Sequence, residues 1–305
     1  MNNLVSDIKS LELETLKNLK KSKSSNTLRA YQSDYKDFSK FCVMNNFSSL
    51  PTEPKILALY LTHLSKTYKF STLKRRLASI SIIHKLKGHY IDTKHPLIIE
   101  NLLGIKRTKG TNQIGKKPLL INDLKLLIKV IDECNEKYTR KLRDKTIILI
   151  GFSGGFRRSE LISIEHEDIE FVSEGVKIYV KRSKTDQSGE GMIKAIPYFD
   201  NEEYCPVKHL SLWITQSNIK KGKIFDISDK SVALIIKKYA NLAGLDGNKY
   251  AGHSLRSGFA TSTAESGAEE RYIMTMTGHK TTQMVRRYIK EANLFKNNAL
   301  NKIKI

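Results

Sequence analysis

Cysteine is scarce in this chain: Cys42, Cys134 and Cys205 stand far apart, and no Cys-x-x-Cys pair occurs. That spacing excludes a disulfide framework and a zinc site built on paired thiolates, and it fits a reducing compartment. Long apolar runs are also missing. Stretches such as Ile147-Ile148-Leu149-Ile150 fall far short of the roughly 20 residues that span a bilayer. The first twenty residues carry Asp7, Lys9, Glu12, Glu14, Lys17 and Lys20 and no apolar core of a secretion signal, so the chain is expected to be soluble and cytoplasmic. No period of twenty to fifty residues recurs, which excludes solenoids and propellers. Negative charge is the last shortage, with 31 Asp and Glu against 53 Lys and Arg, a net +22. Folding does not need that excess; a polyanionic partner explains it. Residues 1–117 hold 22 Lys and Arg against 8 Asp and Glu, so the basic character is concentrated in the smaller N-terminal part. A biased base composition would spread its lysines evenly.

A chain of 305 residues allows about two domains at typical domain sizes. In the first, Leu28, Tyr31, Tyr35, Phe38 and Phe41 recur at steps of three and four, the mark of an amphipathic helix capped near Ser25 or Asn26. Pro51 and Pro54 precede a second helix built on Ile56 to Leu64. A third begins at Ser71 with Leu73, Leu77, Ile80 and Ile83 inward, and a fourth covers Pro96 to Leu103. Lys74, Arg75 and Arg76 fall on the other side of the third helix, where a phosphate backbone would lie. From Ile105 to Pro118 the periodicity gives way to Lys106, Arg107, Lys109 and glycines, which predicts a basic linker touching the same backbone. The expected division is 1–104, a linker over 105–118, and 119–305.

The second part opens with a helix from Asn122 to about Lys137 and another through Lys145 to Phe152, followed by a Gly154-Gly155 turn that delivers Arg157 to the next helix start. Glu160, three residues on, is placed to brace an arginine from behind. The period then changes to two: Val176, Ile178 and Val180 alternate with polar residues, and a second strand follows over Met192 to Pro197. The loop between them carries Lys184. Helices over Val207 to Gln216 and Ser231 to Ala243 restore the α-rich pattern.

The stretch from His253 to Tyr288 is the densest in chemistry. His253 and Arg256 lie three apart, on one face of a helix that reads from Ser254 to Ser266. Gly267 and Gly278 close that helix and the next, Glu269 to Thr277, as left-handed C-terminal residues. His279 leaves a turn, and Met284, Val285 and Tyr288 share one side of a last helix. An imidazole beside a permanently charged planar fork suits a phosphodiester. Taken singly, each feature has an ordinary explanation: a packing tyrosine, a solvated His-x-x-Arg face, a helix-turn-helix reader over Glu269 to Ile289.

Together they resemble the tyrosine recombinases, the phage integrase family. The motifs are His253-Ser254-Leu255-Arg256, Gly278-His279, Arg286-Arg287-Tyr288-Ile289, the box Gly154 to Leu161 containing Arg157, and Ser183-Lys184-Thr185 on the hairpin. The resemblance is close from Leu119 to Ile305 and weaker before. It implies a mainly α fold with a small antiparallel β-sheet: a helical, SAM-like core-binding domain, then a catalytic domain. It also implies a site-specific recombinase acting on double-stranded DNA as a homotetramer on two paired sites, without cofactor or metal. Arg157 and Arg256 would hold the phosphate, His279 would donate to it, and Tyr288 would attack with His253 as base. Lys184, chosen over Lys181 and Lys194 from its sequence context, would protonate the leaving 5′-oxygen. A type IB topoisomerase and a catalytically silent DNA-binding regulator are the other readings. Leu294, Phe295, Ala299 and Ile303 form an apolar edge expected to dock on a neighbouring protomer.

Overall fold

Apolar spacing builds the N-terminal helices as expected, in a computed structural model that describes residues 10, 11, 14, 18, 23–111, 115–181, 190–292, 301 and 303. Lys184 lies outside the described residues, as do Leu294, Phe295 and Ala299 of the apolar tail; Ile303 is exposed. The chain divides into two units, Met1–Ile114 and Gly115–Ile305.

Four helices span residues 25–109 of the first unit: α1 (Ser25–Met44), α2 (Pro54–Ser65), α3 (Phe70–Leu86) and α4 (Pro96–Lys109). Ser24 caps α1 by accepting from the Thr27 amide, and prolines start α2 and α4, where the missing N–H costs nothing. Phe38, Leu57, Tyr60, Leu61, Leu73, Ile80 and Ile98 are fully enclosed. Each such side chain contributes about 1.5–3 kcal/mol by leaving water, so this core rather than surface charge holds the unit. Residues 105–109, expected as linker, instead continue α4 to Gly110, because Ile105 still packs inward and keeps the helix on the core.

The second unit is mostly helical around a three-stranded antiparallel sheet. Helix α5 (Ile121–Glu133) and α6 (Tyr138–Ser153) lead to the one-turn α7 (Arg158–Leu161). Strands β1 (Ile169–Val172), β2 (Gly175–Val180) and β3 (Met192–Pro197) follow in spatial order. The short β1 escapes sequence reading because four residues give too little alternation. Next come α8 (Pro206–Gln216), α9 (Asp229–Leu242), α10 (His253–Glu265), α11 (Glu270–Thr277) and α12 (Thr282–Ala292). Helix α6 is the hub: Ile147 to Ser153 is buried on every side, so its run of apolar residues has no polar face to show. Among the described residues no helix is long and apolar enough to cross a membrane.

Helix α10 is drawn tight against the segment before α5. Leu119 donates its amide to Ser254 O at 2.9 Å, and a Cβ on Gly258 would stand 1.9 Å from Leu119 O. Replacing Gly258 with alanine therefore forces backbone apart in a packed interior. The Gly258→Ala protein is expected to lose about 1–3 kcal/mol, read as a lowered denaturant midpoint; an unchanged midpoint would mean that this contact yields freely.

Candidate active site

Two turns and two helices of the second unit converge. The turn after α6 sets Arg157 just ahead of α7, where its amide donates to Glu160 Oε2 at 3.0 Å and its Nη1 donates to Glu160 Oε1 at 2.5 Å. Glu160 is buried, so the brace expected from the sequence is made by a carboxylate with little water to compete. Arg157 also reaches Gly278 O at 3.3 Å. Arg158, its neighbour, is turned toward Asp229 at 3.8 Å.

Helix α10 supplies His253 and Arg256 one turn apart. Arg256 is 1% exposed, a degree of burial that makes its partners decisive. Its Nη1 donates to Gly155 O at 2.9 Å, and its Nη2 meets His279 Nε2 at 3.0 Å. Burial, with Arg157 nearby, pushes the guanidinium down to about 10. Gly278, at φ 62° in the left-handed region, ends α11 and turns the chain so that His279 faces back toward α10. Helix α12 seats Val285 and Tyr288 against Ala260, Ala264 and Ile273, while Met284, expected on the same side, is exposed. The Tyr288 hydroxyl then stands 3.2 Å from His253 Nε2, and its ring centroid lies 6.2 Å from that of His279. Arg157, His253, Arg256, His279 and Tyr288 thus form one constellation.

Both histidines are held below the ordinary imidazole range. For His279 the causes are burial, then Arg256 and Arg157, and its value falls to about 4. His253 opens to solvent on one side, yet desolvation by its surroundings comes first there too, followed by Arg256, Arg157 and Arg158.

Two lysines near the hairpin have other partners. Lys181 pairs with Glu165 and with Asp168, the latter at 2.9 Å, and those carboxylates hold it firmly protonated. Lys194 is fully buried on β3 opposite Ile178. Its Nζ donates to Gly154 O at 2.7 Å and to Met276 O, and it lies 4.7 Å from the Phe156 ring centroid. Burial pushes it down to about 7. This lysine ties the turn before Arg157 to the end of α11, a role the sequence reading missed. The available signal was its register: alternation through Met192 to Pro197 puts residue 194 on the inward face with Ile196.

In the first unit the expected basic face divides. Lys74 and Arg75 are exposed, but Arg76 is buried and corrects the expectation for it. Arg76 donates to Tyr60 Oη at 2.6 Å and to Asp37, and Asp34 pairs with Arg75 and accepts from Ser79 at 2.7 Å. Aspartates on α1 claim this arginine because it sits one position round the helix, beside Leu73 and Ile80. Lys74 instead joins Lys69, Lys106 and Lys109 around a groove of about 790 Å³, with Arg107 exposed on the same helix end.

The phage integrase family model matches residues 119–294. An integrase/recombinase xerD homolog of Selenomonas ruminantium is 43% identical over 308 residues, covering 96% of this chain and 89% of that one. Among solved structures, XerH site-specific recombinase bound to a palindromic difH substrate, a post-cleavage complex, aligns with TM-score 0.62 at 18% identity, over 81% of this chain and 73% of that one. A lambda integrase tetramer bound to a Holliday junction aligns with TM-score 0.57 at 16% identity, over 92% and 75%.

The depressed histidines set a pH dependence. An unfolded imidazole titrates near 6.5 and His279 only at about 4, so between those values the unfolded chain binds more protons. Stability contributed by neutral His279 is complete above 6.5 and is lost as pH falls toward 4. Denaturant midpoints at pH 7 and pH 5 should fall further in the native protein than in His279→Gln; equal losses would show that His279 titrates normally.

Proposed function

The chain belongs to the phage integrase family, the tyrosine recombinases, and from that premise we propose that Tyr288 attacks a DNA phosphodiester held by Arg157, Arg256 and His279. The observation that carries this reading is the Tyr288 hydroxyl 3.2 Å from His253 Nε2, beside a buried guanidinium. A phenol has a pKa of about 10, so attack near neutrality needs a base at hydrogen-bond range. His253, kept neutral by its surroundings, answers that need. The arginines meet the charge that builds on non-bridging oxygens as phosphorus becomes five-coordinate, and such preorganised contacts are worth several kcal/mol, roughly 3–4 each where measured.

The step forms a Tyr288 Oη–phosphorus bond and breaks the bond to the 5′-oxygen, which leaves as a hydroxyl once protonated. The products are a 3′-phosphotyrosine and a free 5′-hydroxyl. Attack by a hydroxyl of another strand reverses the step, so the bond energy is kept in the protein–DNA ester. Lys184 is the proposed donor to the 5′-oxygen; the carboxylate partners of Lys181 support leaving that lysine aside. The first unit would bind the duplex through Lys74, Lys106 and Lys109, with Arg75 and Arg107 beside them. Site-specific exchange would proceed in a tetramer on two paired sites, a reading supported by the lambda integrase tetramer bound to a Holliday junction, and the apolar tail would join neighbours.

Tyr288→Phe should bind DNA as the native protein does but form no covalent adduct with a nicked site, scored by denaturing electrophoresis. Adduct formation by that variant would move the nucleophile elsewhere, with the exposed Tyr272 the first suspect. For the first unit, alanines at Lys74, Lys106 and Lys109 should weaken binding and reduce the slope of log affinity against log salt by about 0.9 per lost phosphate contact. An unchanged slope would place the groove away from DNA.

A further inference from the structure

Thr277, the last residue of α11, is fully buried and makes three contacts through one oxygen. Its Oγ1 lies 2.5 Å from Ile273 O, 3.5 Å from Met274 O and 2.7 Å from His279 Nδ1. A hydroxyl has a single proton and a carbonyl only accepts, so the proton goes to Ile273 O. Toward His279 the oxygen therefore accepts, which places the imidazole proton on Nδ1. The other ring nitrogen gives the same answer independently. Nε2 stands 3.0 Å from Arg256 Nη2, and a guanidinium has no acceptor, so Nε2 presents its lone pair.

We infer that Thr277 is a positioning residue that fixes His279 as the Nδ1–H tautomer, so that Nε2 holds Arg256 in the free protein and becomes a phosphate donor only by taking up a proton. The tautomer follows from the two contacts alone; the proton uptake rests on the proposed phosphodiester function. The groups that bear on His279 are Arg256 and His253 on α10, Arg157 ahead of α7 with Glu160 behind it, Lys194 on β3 and Tyr288 on α12. All but Glu160 and Tyr288 oppose a charge on His279. A phosphodiester anion entering between the arginines reverses that balance: it attracts Arg256 Nη2 away from Nε2 and favours the imidazolium. One proton from solvent then occupies Nε2, and His279 donates to the phosphate while Nδ1–H stays on Thr277.

Nitrogen-15 spectra of histidine-labelled protein read which ring nitrogen carries hydrogen. Native protein and Thr277→Ser are expected to show His279 protonated on Nδ1 at pH 7, and Thr277→Val, left with the Arg256 contact alone, to show a mixture of Nδ1–H and Nε2–H forms with an unfolding midpoint close to native. Thr277→Ala serves the same comparison should valine disturb folding. An Nε2–H signal in the native protein, or an unchanged tautomer in the folded valine or alanine variant, would overturn the role of Thr277. The second arm uses dimethyl phosphate, whose single charge does not titrate in this range, added at pH 6 while the Arg256 guanidinium signal reports its arrival. A native His279 that becomes imidazolium as Arg256 shifts, with affinity rising by up to about tenfold per pH unit of acidification, supports proton uptake. Arg256 shifting while His279 stays neutral overturns it. If neither responds, the phosphodiester reading of these groups fails, and the tautomer stands or falls on the variants.

Discussion

The arrangement of the second unit depends on a guanidinium removed from water. Arg256 is almost wholly enclosed, and an arginine there cannot shed its charge at ordinary pH. Its cost is offset by the Gly155 carbonyl, by His279 Nε2 and by the field of Glu160, the carboxylate that also holds Arg157. Two arginines share the field of one buried carboxylate, and Lys194, pushed down to about 7 by burial, adds positive charge behind them only in part. The local charge is therefore unbalanced toward an anion. For the proposed phosphodiester the two guanidinium groups are already in place when charge develops, and only the Arg256 Nη2 contact to His279 has to give way.

Most of that site is legible in the sequence because its parts sit at chain punctuation. Gly278 announces the turn that releases His279, the His253 to Arg256 spacing fixes a helix face, and Glu160 three residues after Arg157 reads as a brace. What escapes sequence reading is what each group leans on. Gly155 O, Met276 O and the Thr277 hydroxyl take their roles from tertiary approach, and no local pattern marks them. Lys194 is an intermediate case: strand alternation assigns it inward, but only the meeting of β3 with α6 and α11 shows what a buried ammonium bonds to. Met284 fails in the opposite direction, since a helix face is wide enough to carry one apolar side chain into solvent.

The same limit appears in the first unit. Four helices and their inward residues follow from periodicity, yet a run of three basic residues cannot announce which of them an aspartate will claim. Asp34 and Asp37 on α1 bind Arg75 and Arg76, so only part of that run remains available to a partner. The lysines that do share a groove come from the start of α3 and the end of α4, about thirty residues apart in sequence. Reading 105–109 as linker hid that juxtaposition, because a linker has no defined face.

Two turns and one helix carry the proposed anion-binding groups, and this division decides how the site tolerates change. Arg157 hangs from the end of α6, Arg256 from within α10, and His279 from the end of α11. Lys194 bonds to the first and third of these, Arg256 bonds to Gly155 beside the first and to His279 on the third, and Arg157 reaches Gly278. Arg157 and Arg256 are thus also struts, each bonding to the backbone of a turn that carries another of these residues. Truncating one of them would loosen the spacing of the others as well as remove its proposed contact to the anion, so losses at Arg157, Arg256 and His279 are expected to be coupled rather than additive. A double-mutant cycle across Arg256 and His279 measures that coupling directly, and strictly additive losses would mean that the struts are dispensable.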